Sequence, residues 1–161
     1  MIVVLMGVSG VGKTTIGEAL AARLGWRFID ADDFHPRENV AKMAAGTPLS
    51  DEDRWPWLAK VNSVLRAEKN AVLACSALKE AYRRRLTQGI ADLRLVYLHG
   101  SFELIHARLA ERRHRYMPAS LLESQFAALE PPLEAIAIDV AAPPSVCVDA
   151  ILHHLTQEDQ V

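Results

Sequence analysis

The feature that most constrains the fold is a glycine-rich segment near the start of the chain, Gly7-Val8-Ser9-Gly10-Val11-Gly12-Lys13-Thr14. It matches the phosphate-binding loop pattern G-x-x-x-x-G-K-[ST]. The apolar run 2–6 before it predicts a buried strand, and helical apolar spacing follows it through Leu24. A strand, a glycine turn and a helix in this order aim backbone N–H groups at a phosphate bound at a helix N-terminus. The sequence therefore predicts an α/β protein with a nucleotide phosphate site.

Each residue type in this loop has a role in phosphate chemistry. Lys13 is predicted to reach the β- and γ-phosphates of ATP and to act in catalysis, and the Thr14 hydroxyl is predicted to hold Mg²⁺. A dinucleotide fingerprint is excluded, because Thr15 stands where its third glycine would be. The predicted ATP-binding residues of this segment are Gly7, Val8, Ser9, Gly10, Val11, Gly12, Lys13, Thr14 and Thr15.

Composition narrows the class of protein. The 161 residues suit one domain, 1–161, and a net charge of -2 gives no reason to expect nucleic acid or an anionic membrane as partner. No apolar run is long enough to span a bilayer, and the chain opens in a core strand, so we expect no signal peptide. Cys75 and Cys147 lie in apolar stretches and are predicted to be buried, reduced thiols. We expect a cytoplasmic protein.

Strand and helix patterns alternate along the chain. Such alternation predicts a three-layer α/β/α fold, with a five-stranded parallel sheet and ligands beyond the carboxyl ends of the strands. Pro56 indicates either the first turn of a new helix or a kink in a helix begun at the capping box Ser50–Asp53. The predicted strands are 2–6, 26–30, 71–75, 93–98 and 136–138, and the helices are about 13–24, 36–45, one through Lys69, one to Thr87, 102–113, 118–129 and 145–155.

Two further charged clusters lie where chemistry is expected. Asp32, in the acidic run 30–33 after the second strand, is predicted to accept a proton from an attacking hydroxyl. Arg108 and Arg112 lie four residues apart on one predicted helix face, with Arg108 expected at ATP and Arg112 in catalysis. Residues 112–120 are predicted to form a helical lid that excludes water.

The motifs that are missing favour one kind of phosphate-loop protein. A GTPase should carry a guanine-reading N-K-x-D motif, which is not present, and a motor ATPase usually needs a longer chain. A short chain with a helical lid favours phosphoryl transfer to a small molecule.

Several longer motifs then resemble one family, the gluconate kinases (gluconokinases), which are relatives of the shikimate and adenylate kinases. The likeness runs from the phosphate loop to about Pro132. The segments that carry it are Asp30–Asn39, Lys42-Met43, Gly46–Leu49, Asp51–Leu58, Cys75–Lys79, Tyr82-Arg83, Gly100–Glu103, Arg108-Leu109, Arg112, Met117-Pro118, Leu121-Leu122, Ser124–Phe126 and Leu129–Pro132.

The resemblance implies transfer of phosphate from ATP to the terminal hydroxyl of D-gluconate, giving 6-phospho-D-gluconate and ADP. By similarity to shikimate kinases, Arg54 should face the substrate carboxylate, which a planar guanidinium binds bidentately. Asp32 would orient the terminal hydroxyl, and a homodimer is implied. The other implied substrate contacts are His35, Ser76, Lys79 and Arg83.

The chain departs from the family at one place. Its usual Gly-His-Phe-like run before the Met-Pro pair reads His114-Arg115-Tyr116 here, which loses the flexible glycine. Two alternatives stay open at this stage. One is a kinase of another small acceptor, such as shikimate, a different sugar acid or a nucleoside. The other is a nucleotide-binding module with degenerate catalysis.

Overall fold

A computed structural model describes residues 1–111 and 118–158 of the chain. The strands are β1 (Ile2–Met6), β2 (Arg27–Asp30), β3 (Ala71–Ala74), β4 (Leu93–His99) and β5 (Ile136–Asp139). The helices are α1 (Lys13–Leu24), α2 (Arg37–Ala44), α3 (Asp51–Arg66), α4 (Glu80–Thr87), α5 (Phe102–Ala110), α6 (Ala119–Ala128) and α7 (Pro144–Glu158), and a short 3₁₀ helix spans Ala31–Phe34.

The five strands form one parallel sheet in the order β2-β3-β1-β4-β5. Strand β1 lies at the centre, with Ile2 opposite Ala71 of β3 and opposite Leu93 of β4. All five residues of β1 are buried, as expected of a parallel strand covered on both faces. The predicted five-stranded parallel sheet is confirmed.

A hydrophobic core lies on each face of this sheet. Val3 and Leu5 of β1 point into one core, together with buried side chains of α1, α5, α6 and α7. Val4 and Met6 point into the other core, which α3 and α4 cover. Because side chains alternate along a strand, one strand supplies both cores, and the predicted α/β/α layering is confirmed.

The helix boundaries agree with the sequence to within a few residues, and two differences are informative. The capping box forms at Ser50 and Asp53, and α3 then runs unbroken through Pro56, so no new helix begins there. It ends at Arg66, short of the predicted Lys69. Helix α5 ends at Ala110 with Glu111 as its C-cap, and the last two residues of its predicted length, with most of the predicted lid, fall among residues 112–117 outside the described ranges.

Both cysteines are buried and unpaired, as predicted. Burial raises the pKa of the Cys75 thiol to about 12, and burial also raises the pKa of Cys147. No helix within the described ranges is long and apolar enough to cross a membrane.

Candidate active site

The phosphate loop joins β1 to α1 in a conformation that depends on glycine. Gly10 and Gly12 have φ of 88° and 97°, in the left-handed region that side chains disfavour. A Cβ on Gly10 would lie 2.8 Å from Leu109 of α5, so the loop also packs too closely for a larger residue. Gly12 is the N-cap of α1 and has no side chain to cap it, which leaves the helix N-terminus to an anion.

The lysine of the loop folds over the loop itself. Lys13 Nζ donates to the carbonyl oxygens of Gly7 (2.9 Å) and Val8 (3.0 Å). Thr14 and Thr15 are exposed on the first turn of α1. The side chains of Val8 and Val11 are buried, so these two residues can meet a nucleotide only through their backbone.

The sheet brings the predicted site segments to one edge. Strand β3 lies between β1 and β2, and the backbone N–H of Gly7 donates to the Ser76 carbonyl oxygen over 3.3 Å. Asp30, the last residue of β2, is paired with Ala74 near the end of β3. The phosphate loop, the segment after β3 and the acidic segment after β2 are therefore neighbours, as the strand-end rule predicts.

The acidic segment turns back on itself at the end of β2. Asp30 Oδ1 accepts a hydrogen bond from the Asp32 N–H (2.9 Å) and so caps the short 3₁₀ helix. Burial raises the pKa of the Asp30 carboxyl, against the lowering effect of that N–H and of the Lys13 charge. The Asp32 side chain is 76% exposed and can meet a substrate.

A cavity of about 280 Å³ lies beside this segment. It borders the phosphate loop through Thr14 and the acidic segment through Asp30 and Asp33. Its lining residues are Thr14, Glu18, Arg27, Phe28, Ile29, Asp30, Asp33 and Phe34.

The buried ring of His35 lies next to the Asp32 carboxylate. Its side chain is only 3% exposed, and its Nε2 lies 3.6 Å from Asp32 Oδ1. Asn39 Nδ2 donates to the Asp53 carbonyl oxygen (2.9 Å), which fixes the amide so that the same nitrogen also faces His35 Nδ1 at 3.2 Å. Because an amide nitrogen only donates, Nδ1 must accept, and the imidazole proton sits on Nε2, toward the carboxylate.

A buried tryptophan fastens the same segment to α3. The ring of Trp57 stacks on His35 with centroids 4.1 Å apart, and its Nε1 donates to the Ala31 carbonyl oxygen over 2.7 Å. The residues on either side of Asp32 are thus tied to one helix. The sequence predicted a substrate contact for His35, and this contact stays a prediction. The structure shows that His35 and Trp57 pack beneath the acidic segment that carries Asp32.

Two of the predicted substrate cations meet at one aromatic ring. Arg54 Cζ of α3 lies 5.1 Å from the ring centroid of Tyr82, and Lys79 Nζ lies 5.8 Å from it. The Tyr82 hydroxyl donates to Asp51, and burial together with this bond raises the Tyr82 pKa to about 12, so the ring stays neutral. Arg54 also donates to the Leu49 carbonyl oxygen. The ring therefore gathers two positive charges from separate elements.

Arg83 has a different set of partners from those predicted. Its side chain is buried, and Nη1 donates to the carbonyl oxygens of Ala77 (2.8 Å) and Leu78 (3.1 Å). Nη2 donates to the Glu130 carbonyl oxygen (2.8 Å), and the guanidinium also pairs with Glu80. These contacts hold the loop after β3, where Ala77 has a left-handed φ of 44°. The predicted contact between Arg83 and substrate stays a prediction.

One contact of the phosphate loop was not predicted from the sequence. Gln125 of α6 accepts a hydrogen bond from the Ser9 N–H and donates one to the Ser9 hydroxyl. No local sequence pattern predicts a contact between residues so far apart in the chain. Arg108 lies in the last turn of α5, and Arg112, the predicted catalytic arginine, lies outside the described residues.

A central parallel sheet, a phosphate loop that opens a helix and an acidic segment beside it define a phosphate-loop nucleotide-binding α/β protein of the small-molecule kinase class. A family model described as an AAA domain matches residues 2–132.

Comparison with known proteins gives the family. The chain is 48% identical to a probable gluconokinase of Xenopus tropicalis, over 94% of this chain and 91% of that one. It is 44% identical to a gluconokinase of Gluconobacter oxydans, over 97% and 92%. A gluconokinase structure from Sinorhizobium meliloti superposes with a TM-score of 0.89 at 43% identity, covering 96% and 91%. The chain belongs to the gluconokinase family.

A more distant structure shares the fold alone. A shikimate kinase from Acinetobacter baumannii, solved with shikimate, has a TM-score of 0.63 at 20% identity and covers 98% of this chain and 93% of that one.

Proposed function

We propose that the protein transfers the γ-phosphoryl group of ATP to the terminal hydroxyl of D-gluconate, giving 6-phospho-D-gluconate and ADP. The observation that carries the proposal is the convergence of Arg54 and Lys79 on the ring of Tyr82. A pair of cations on a neutral platform suits an acceptor with a carboxylate, whereas a nucleoside would not require it. The family membership of the chain supports gluconate as that acceptor.

The chemistry then follows from the chain's own groups. The loop N–H groups and Lys13 hold the phosphates of ATP and stabilise the charge of the transferring group. Asp32 orients the attacking hydroxyl and takes its proton as the new phosphorus–oxygen bond forms and the bond to ADP breaks. The Nε2–H of His35, 3.6 Å away, favours the Asp32 carboxylate in one orientation. Arg108 and Arg112 are proposed to act on ATP and on the transition state.

The site also fits Mg²⁺. A hard cation takes oxygen ligands and keeps several waters, and Thr14, Asp30 and Asp33, which all carry side-chain oxygens, line one cavity. No group of three or more His, Cys, Asp or Glu side chains suited to a metal occurs in residues 1–111 and 118–158, so the phosphates of ATP would complete the shell. When bound, the ion would neutralise phosphate charge, with Thr14 as its protein ligand.

Three further parts of the proposal come from the sequence pattern and, for the dimer, from the family resemblance alone. They are a single kinase domain with a lid at about 112–120, a homodimer and a cytoplasmic location. Two buried, unpaired cysteines suit a reducing compartment. Light scattering during gel filtration tests the dimer.

The decisive experiment is a panel of acceptors with Mg·ATP, followed by coupled ADP release and confirmed by product mass. We expect gluconate to be phosphorylated selectively over shikimate, other sugar acids and nucleosides, because a site built for particular polar groups rejects analogues that lack them. Phosphorylation of shikimate in preference to gluconate would support the alternative of a kinase for another small acceptor. ATP binding without any acceptor-stimulated turnover would show a binding module.

Lys13→Ala tests the phosphate site within the same assay. We expect kcat to fall by at least about 100-fold, the scale of losing one transition-state charge contact. The matched control is Lys60→Ala, an exposed lysine on α3, which should retain wild-type activity. Equal losses of folding and activity in Lys13→Ala would contradict the assignment.

A further inference from the structure

Helix α6 reaches the phosphate loop through one side chain. Gln125 Oε1 accepts from the Ser9 N–H over 2.8 Å, and Gln125 Nε2 donates to Ser9 Oγ over 3.0 Å, across 116 residues of sequence. A backbone N–H can only donate, so the amide oxygen must face it and the NH₂ group must face the hydroxyl. The bridge therefore has one possible orientation and uses both ends of the amide.

The bridge starts from a helix that is attached to the core by one buried side chain and one partly buried ring. Leu122, one turn before Gln125, is fully buried in the core, and the ring of Phe126 packs edge-on against Phe102 of α5 with centroids 5.8 Å apart. A side chain that starts from a fixed backbone holds its partner more precisely than one on a loop. Gln125 is thus able to fix the position of Ser9 relative to the core.

The loop at the other end of the bridge needs such support. A glycine-rich loop loses much conformational entropy when it is ordered, and Gly10 next to Ser9 adopts a left-handed conformation. On one side, Leu109 and Ile105 of α5 fit closely against Gly10. On the other side, the two hydrogen bonds from α6 hold Ser9. Two helices therefore define the loop before any phosphate binds.

We infer that Gln125 is a positioning residue for the nucleotide: it preorganises the phosphate loop through Ser9 and so lowers the entropic cost of binding the phosphates. The Ser9 N–H is engaged by Gln125 in this arrangement, as the N–H groups of Gly7 and Val11 are by backbone carbonyls. The N–H groups that meet phosphate then include those of Gly10 and of the residues from Gly12 onward. The inference rests on the proposed ATP site but not on the identity of the acceptor.

The test measures ADP binding by titration calorimetry at 25 °C, which requires no acceptor. Gln125→Met keeps the length of the side chain but removes both hydrogen bonds. We expect the Kd for ADP to rise about tenfold, equivalent to about 1.4 kcal/mol. Gln157→Met, the same exchange at an exposed position of α7, is the matched control and should leave the Kd unchanged.

A double-mutant cycle with Ser9→Ala shows whether Gln125 acts through Ser9. Ser9→Ala removes only the hydroxyl bond, so we expect about a threefold rise in the Kd. Combined with Gln125→Met it should add nothing further, because the bond it removes is already lost. Steady-state kinetics complete the test: the KM for ATP should rise in Gln125→Met while the KM for gluconate stays within about twofold of wild type.

The outcomes separate this inference from the proposed function. An ADP Kd in Gln125→Met within twofold of wild type overturns the inference alone. Additive effects of the two substitutions, or equal rises in both KM values, would show general damage to the structure and overturn it as well. Failure of the wild-type protein to bind ADP would remove the proposed function together with the inference.

Discussion

Arg83 offers the sharpest test, because the sequence predicts a substrate contact for it, whereas the structure gives it a structural role. The sequence places it at the substrate, whereas the structure buries it to 5% exposure among carbonyl oxygens. Arg83→Met keeps most of the buried aliphatic stem and removes the guanidinium. A substrate ligand would lose affinity by this change, and a structural clamp would lose stability.

The expected loss follows from the carbonyl groups that are left behind. The Leu78 oxygen keeps a second donor, the N–H of Glu130 at 2.8 Å, but the oxygens of Ala77 and Glu130 lose the guanidinium. An unsatisfied buried polar group costs about 1–3 kcal/mol, and the Glu130 oxygen is only partly buried and can recruit water. We expect a loss of about 2–4 kcal/mol in the free energy of unfolding, or about 5–15 °C in Tm for a chain of this length.

Urea denaturation followed by circular dichroism measures this loss. Arg84→Met is the matched control, because it makes the same exchange at the next residue of α4, where the side chain is 79% exposed. We expect the control to unfold within about 0.5 kcal/mol of wild type. Wild-type stability in Arg83→Met, combined with a raised KM for gluconate, would refute the structural reasoning and return Arg83 to the substrate.

Three further predictions concern the predicted substrate contact of Arg54, the stability of the protein in acid and the accessibility of the two thiols. Arg54→Lys keeps the charge but loses the bidentate fork, so we expect kcat/KM for gluconate to fall at least about tenfold while the KM for ATP is kept; unchanged kinetics would place Arg54 elsewhere. The Lys42 ammonium holds the pKa of Asp53 at about 2, below its ordinary 3.8. The stability that this ion pair contributes is therefore complete above pH 4 and is lost as the pH falls toward 2. We expect the urea midpoint of Asp53→Asn to change less between pH 4 and pH 2 than the midpoint of the wild-type protein. Parallel pH profiles of the two proteins would contradict this expectation. Cys75 and Cys147 should resist thiol reagents in the native protein and react after denaturation, and rapid native labelling would show that either is accessible.

The sequence predicted those parts of the molecule whose signals are local. The phosphate loop, the strands and the capping box at Ser50 each depend on residues within one short segment, and the structure agrees with all of them. Even the continuation of α3 through Pro56 is understandable, because the helix had already begun at its cap and gains stability from the buried stripe beyond.

The parts that could not be predicted depend on packing between distant segments. The charge of Arg83 suggests a ligand, and only the fold shows that the loop after β3 turns its carbonyl oxygens toward it. His35 is similar, since its ring is covered by Trp57, which comes from α3 and not from the helix that follows His35. Gln125 is a polar residue on a helix of modest amphipathic character, and nothing nearby in sequence points to Ser9.

The central place of β1 in the sheet has a consequence for how the chain folds. Both neighbours of this first strand come from far downstream, since Ile2 pairs with residues about 70 and about 90 positions later. The bridge from Gln125 to Ser9 spans 116 residues. Contacts between such distant segments form slowly, because the chain loses the entropy of closing a long loop before the contact contributes any stabilising free energy. The phosphate loop can therefore reach its working shape only after segments about 70 to 116 residues downstream have been synthesised and packed against it.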